Sequence, residues 1–166
     1  DHSIVLVGRT DPGDFGGSEY SEVVNGTVSG RPPVVEFARE RALHSFLIQG
    51  ARTRAFASAH DVSSGGLGVA LAESSLCGGR GFAVTLPAGD VHRVLFAESP
   101  SRAIVSCPAD RTDDVLSLAS TSGIDAQLIG VTGGEWLDFG ALRVALKAAA
   151  DRYETAFPSH LSDTIA

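Results

Sequence analysis

The chain has 166 residues and a mass of 17.2 kDa, the size of a single domain whose core can bury about 70% of its unfolded surface. Hydrophobic residues make up 43% and charged residues 20%, which excludes a disordered tail, a coiled coil or a low-complexity linker. Acidic side chains outnumber basic ones, 20 to 13, for a net charge of −7, so the expected partners include neither nucleic acid nor an anionic membrane surface.

No run approaches about 18 uninterrupted apolar residues, so no membrane span is expected. The start, Asp1-His2-Ser3, is neither an initiator Met nor a basic signal region. A cytoplasmic protein, processed or cut from a longer chain, is therefore the expectation. Cys77 and Cys107 lack a CxxC partner or a nearby His at ligand spacing, and are expected as two reduced core thiols.

Residues 3–8 (SIVLVG) are β-branched and apolar and predict a strand. Residues 11–17 (DPGDFGG) form a turn-rich loop, and Ser18 is placed to cap a short helix with Glu19 and Glu22 in its first turn. Residues 25–33 (NGTVSGRPP) break that helix. Residues 36–50 space Phe37, Leu43, Phe46 and Leu47 as a helix stopped by Gly50. A strand is expected over 54–60, a helix over 65–77, a strand over 81–86, a helix over 91–96, a strand over 102–107 and a helix over 111–121. Residues 126–131 and 135–139, separated by Thr132-Gly133-Gly134, read as a hairpin, and 140–157 as a final amphipathic helix. Strands and helices alternate, but the strands are short and the hairpin breaks the βα rhythm. The expectation is one α/β domain over residues 1–166, a layered sandwich with a mixed sheet rather than a doubly wound parallel fold.

The stretch richest in chemistry is 58–73, SAHDVSSGGLGVALAE. A strand delivers His60, Asp61 and Ser63 to a turn where Gly65 and Gly66 open a helix. Unpaired amides and the dipole at a helix N-terminus favour an anion, and glycines allow it a close approach. Asp61 is a candidate Mg²⁺ contact, with Ser63, Gly65 and Gly66 as nucleotide-phosphate contacts. The plainer alternative is that Ser63 or Ser64 caps the helix and Asp61 complements its dipole.

This stretch resembles the signature that opens the central helix of the C-terminal domain in the AIR-synthase-related superfamily. Residues 15–20 (FGGSEY) with Arg31-Pro32-Pro33, residues 95–106 (LFAESPSRAIVS) and residues 129–134 (IGVTGG) are similar to segments of one branch, the phosphoribosylformylglycinamidine (FGAM) synthases. The resemblance runs in order from about residue 3 to 158. It implies an AIR-synthase C-terminal-domain fold within an ATP-dependent ligase of purine biosynthesis. Such an enzyme joins glutamine-derived ammonia to formylglycinamide ribonucleotide, activating the amide oxygen by phosphoryl transfer, with ATP and Mg²⁺ as cofactors. By the same resemblance the catalytic residues lie in N-terminal segments outside this chain, so none is assigned here, and the fragment alone is expected to be inactive. Asp61 would touch Mg²⁺ and Ser63 a nucleotide. The implied partners are the rest of the synthase chain, a glutaminase subunit or domain and a small accessory subunit, besides the small-molecule nucleotide substrate. Ser64 departs from the acidic residue common at its position, which removes a carboxylate from any metal. Selenophosphate or AIR synthetases, and a non-catalytic assembly module, are the alternatives.

Other residues carry weaker signals. Glu98 and Arg102, four apart, read as an ion pair or a substrate clamp. His44 reads as a half-buried helix-face residue. His60 and Asp61 are placed on opposite faces by strand alternation, which favours packing over base catalysis for His60. Trp136 reads as core. His2, His92 and His160 give no signal, and no GxSxG or HExxH is present.

Overall fold

The computed structural model describes residues 1–165, with side chains as far as Pro158. Ala166, the end of the expected domain, and the side chain of His160 lie outside the described residues. Seven strands form one sheet in the order β2-β4-β1-β5-β3-β6-β7: β1 (His2–Val7), β2 (Ser58–Asp61), β3 (Phe82–Val84), β4 (Ala103–Pro108), β5 (Ala126–Thr132), β6 (Trp136–Asp138) and β7 (Arg143–Ala145). Neighbours are antiparallel except β3 and β6, which run parallel, so the sheet is mixed as expected. The helices are α1 (Glu19–Asn25), α2 (Phe37–Arg52), α3 (Gly66–Gly78), α4 (Val91–Phe96), α5 (Thr112–Ser122) and α6 (Leu146–Ile165).

The central strand β1 is buried from Ser3 to Val7, and its alternation divides the core in two. Ile4 and Leu6 face one layer, where Leu67, Ala70 and Leu71 of α3 and Leu95 of α4 cover them. Val5 and Val7 face the other, against Leu43 and Phe46 of α2 and Val115 and Ala119 of α5. Each large aliphatic so buried contributes about 1.5–3 kcal/mol, which makes this two-sided strand the axis of the fold.

Several boundaries differ from expectation. The segments 126–131 and 135–139 do not pair as a hairpin, because β3 lies between them. Glycines make that insertion possible: a Cβ on Gly81 would collide with the Trp136 backbone, and one on Gly130 with the Ala83 carbonyl. Residues 143–145 form a strand instead of opening the last helix, because Arg143 and Val144 continue the sheet opposite Asp138 and Leu137. Gly50 is not a helix stop. It sits within α2 because the Phe56 ring packs where a side chain would go, and the chain leaves the helix through Arg54 at φ 52°. The strand expected from residue 54 therefore begins only at Ser58. Cys77, expected as a core thiol, is exposed, whereas Cys107 is buried, and Phe37 at the start of α2 is exposed.

Alanine at Gly81 or Gly130 would force backbone apart from backbone. Each substitution is expected to cost about 3 kcal/mol or more. Gly78→Ala, at the open end of α3 with nothing within 4 Å, should be neutral or stabilise by up to about 1 kcal/mol. Thermal unfolding of the three variants checks this, and a wild-type melting curve for Gly81→Ala would refute the close approach of β3 and β6.

Candidate functional site

The C-terminal ends of β1 and β2 and the N-terminal end of β4 lie together, since Val7 and Asp61 both face Ala103. Three loops gather there: residues 8–18, residues 62–65 and residues 97–102. Ser18 begins α1 as expected, accepting from the Ser21 N–H at 3.2 Å while its hydroxyl donates to the Phe15 carbonyl. Phe15 and Tyr20 meet edge to face, and Tyr20 stacks on Phe96 at 5.2 Å, so the first loop is fastened to α4.

Arg102 is buried to 2% exposure and does not pair with Glu98 as the sequence suggested. Its guanidinium donates to the carbonyls of Ser99 (2.9 Å) and Ala97 (2.6 Å) and to the Thr10 hydroxyl (2.9 Å), joining two of the loops. Burial pushes its pKa down to about 10, against the opposing charges of Asp14 and Glu98, so it stays protonated at neutral pH. Glu98 instead accepts two backbone N–H groups through the same oxygen, from Glu19 at 2.9 Å and from Gly65 at 2.8 Å. One carboxylate thus sits at the start of both α1 and α3, where the helix ends favour negative charge. Spacing alone had found the pair; only the loop path separates their roles.

Asp61, Ser63, Gly65 and Gly66 come together on one turn. The Ser63 hydroxyl donates to Asp61 Oδ2 at 2.8 Å, and both side chains are open to solvent. Neither Ser63 nor Ser64 caps α3: the N-cap is Gly65 in the left-handed region, which has no side chain to make a capping bond, and its N–H meets Glu98. Gly66, also at positive φ, packs where a Cβ would strike the Leu95 and Ala97 carbonyls. Its N–H donates to the Ser63 carbonyl at 3.0 Å. A hollow of about 490 Å³ beside this turn is lined by Asp61, Ser63, Ser64, Glu98 and Arg102. A second, of about 610 Å³, is lined by Arg9, Thr10, Asp11, Asp14, Arg39 and Ser99. Both border Ser99, Pro100 and Ser101, so the two hollows share one wall.

The remaining candidates separate. His60 turns back along the strand, its Nδ1 2.7 Å from the Asp61 carbonyl and its Nε2 3.6 Å from Glu73. His44 is exposed rather than half-buried and lies 3.6 Å from Glu40. Trp136 is not core: it is 43% exposed and the Arg143 guanidinium lies over its ring at 4.3 Å. Ser101, in the loop entering β4, adopts φ 58° and donates to Glu40 at 2.8 Å. Among the described residues no group of three or more His, Cys, Asp or Glu is placed to hold a metal by itself. No helix among them is long and apolar enough to cross a membrane.

Replacing Arg102 with Met would strand buried carbonyl acceptors and should cost about 3 kcal/mol or more. Glu98→Gln keeps the oxygen but loses the charge, and should cost about 1 kcal/mol. Denaturant unfolding compares the two, and an equal loss would contradict the division of roles.

With this geometry in hand, comparison with known proteins places the chain. Residues 1–141 match the family model for AIR synthase related protein, C-terminal domain. The phosphoribosylformylglycinamidine synthase subunit PurL of Thermobifida fusca is 37% identical over 160 residues, 94% of this chain and 21% of that protein. Thermotoga maritima PurL complexed with FGAR superposes with a TM-score of 0.77 at 18% identity, covering 90% of this chain and 27% of that one. The same protein complexed with ATP gives 0.66 at 19% identity over 90% and 25%, and the assembly described as PurLQS gives 0.66 at 18% over 90% and 26%. The chain therefore spans about a fifth of the length of the curated relative. The loop-bearing end of its sheet is built on the fold of that family, and the chain belongs to the AIR synthase related proteins as a C-terminal domain.

Proposed function

We propose that the chain is the C-terminal domain of a phosphoribosylformylglycinamidine synthase and supplies one wall of a nucleotide site in an ATP-dependent enzyme of purine biosynthesis. The observation that carries this reading is the turn of Asp61, Ser63, Gly65 and Gly66 at the loop end of the sheet, in a chain 37% identical to a PurL subunit over nearly its whole length. The reaction is the joining of ammonia, released from glutamine, to the amide carbon of formylglycinamide ribonucleotide with cleavage of ATP. The catalytic groups come from the rest of the synthase chain. A glutaminase subunit or domain and a small accessory subunit complete the assembly, in the cytoplasm.

On this reading Asp61 holds Mg²⁺ and Ser63 contacts a nucleotide phosphate. The residues fit that role: Asp61 is a solvent-facing carboxylate, and Mg²⁺ is commonly held by one or two carboxylates, waters and the phosphates themselves. The metal supplies charge neutralisation at the phosphate oxygens. Gly65 and Gly66 act through shape: a Cβ on Gly65 would strike Val69 and one on Gly66 the Leu95 and Ala97 carbonyls, so their missing side chains let the turn close tightly behind Ser63. Glu98 occupies the Gly65 amide, so it holds the turn in place and leaves Ser63 and Asp61 as the outward-facing groups. The net charge of −7 makes this local arrangement necessary, since the surface as a whole does not attract a nucleotide.

In the longer synthase, Asp61→Asn should weaken magnesium-dependent nucleotide binding by about tenfold or more, with a smaller loss for Ser63→Ala. Thermal stability should hardly change, because both side chains are exposed. Calorimetric titration with magnesium–ADP and an assay of FGAM formation read the two effects. Wild-type affinity and turnover in Asp61→Asn would sink the assignment, as would FGAM formation by the 166-residue chain alone.

A further inference from the structure

A cavity of about 420 Å³ opens near the other end of β2, between the edge of the sheet and the C-terminal half of α3. Its volume lies within the range of small-molecule sites. The floor is apolar, made by Ile4, Leu71, Phe82 and Ile104, each no more than 5% exposed. The rim is polar. Ser58 and Ser106 face each other there with their hydroxyl oxygens 2.6 Å apart. One hydrogen lies between those oxygens, and the other remains to donate to a ligand.

The charges on the rim are unevenly placed. His60 donates from Nδ1 to the Asp61 carbonyl, and its Nε2 lies 3.6 Å from Glu73 beside the cavity. Arg80, just past the end of α3, also lines the cavity, and among the described residues its guanidinium has no carboxylate partner. An apolar floor, a spare hydroxyl donor and an unpaired guanidinium together complement a molecule with a hydrocarbon body and one anionic end.

We propose that this cavity is a second ligand site, separate from the Asp61–Ser63 turn, which takes a small amphipathic carboxylate. The hydrocarbon lies on Leu71 and Phe82, and the carboxylate meets Arg80 and the Ser58–Ser106 hydroxyl pair. This site owes nothing to nucleotide binding at the Asp61 turn and stands whether or not that reading holds.

Calorimetric titration of the chain with octanoate, and with octan-1-ol as the uncharged counterpart, tests it. One saturable site is expected, with the alcohol about tenfold weaker or more and Arg80→Ala weakening octanoate by a similar factor. Ser74→Phe, which fills the cavity from α3, should abolish binding. If that variant does not fold, amide shift changes confined to Ser58, Arg80 and Thr132 in the unmodified chain serve instead. Absence of saturable binding, or equal affinity in the Arg80→Ala variant, overturns the proposal. Binding to the chain that disappears in the longer synthase would show that polypeptide covers the cavity, and overturns it too.

Discussion

The buried guanidinium of Arg102 is the constraint on which the loop end of this domain depends. A full charge at 2% exposure is costly, and it is tolerated because its donors reach two carbonyls and a hydroxyl at 2.6–2.9 Å. Those acceptors belong to two loops far apart in sequence, one leaving β1 and one entering β4. The neighbouring Glu98 extends the same device by joining the starts of α1 and α3. The two oppositely charged residues thus organise three loops without touching each other.

That arrangement shapes what the signature turn can do. Helix N-termini ordinarily offer their amides to a visiting anion, but here a resident carboxylate already takes the Gly65 amide. The groups left facing outward are the Asp61 carboxylate and the Ser63 hydroxyl, already aligned by their own hydrogen bond. Gly66 settles the depth of the turn, because its lack of a side chain lets the helix start against the Leu95 and Ala97 carbonyls. On the proposed reading, recognition at this end would rest on a few placed groups in an acidic protein, with the remainder of the site coming from another part of a longer synthase.

The opposite end of β2 follows a different logic. There the sheet edge and the end of α3 leave an apolar floor under a polar rim, and the loops that serve the signature turn do not reach it. Because β1 sends alternate side chains to the two helical layers, Ile4 contributes to this floor while Val5 serves the second core. The two ends differ in chemistry because different elements flank them, the end of α3 at one and the loop entering β4 at the other.

Much of this was legible in the residues themselves. The β-branched run of β1, the Ser18 cap, the amphipathic α5 and the alternation of elements are local signals, since they depend on periodicity and on side chains next to their own backbone. The 58–73 stretch likewise brought Asp61, Ser63, Gly65 and Gly66 together, because a strand-to-helix turn keeps consecutive residues close. What the sequence could not decide were choices between competing long-range partners. Thr132-Gly133-Gly134 is good turn chemistry whether β5 pairs with β6 or makes room for β3, and only the packing of Gly81 and Gly130 against foreign backbone selects the second. Gly50 reads as a helix stop until Phe56 folds against it. Glu98 and Arg102 stand at the spacing of an ion pair, yet their partners lie 33 and 92 residues away at Gly65 and Thr10. The sequence by itself determined most of the elements and the turn that bears the candidate chemistry. The tertiary structure decided which distant amides and carbonyls satisfy the charges between them, because a buried charge is satisfied by whatever the fold brings within hydrogen-bond reach.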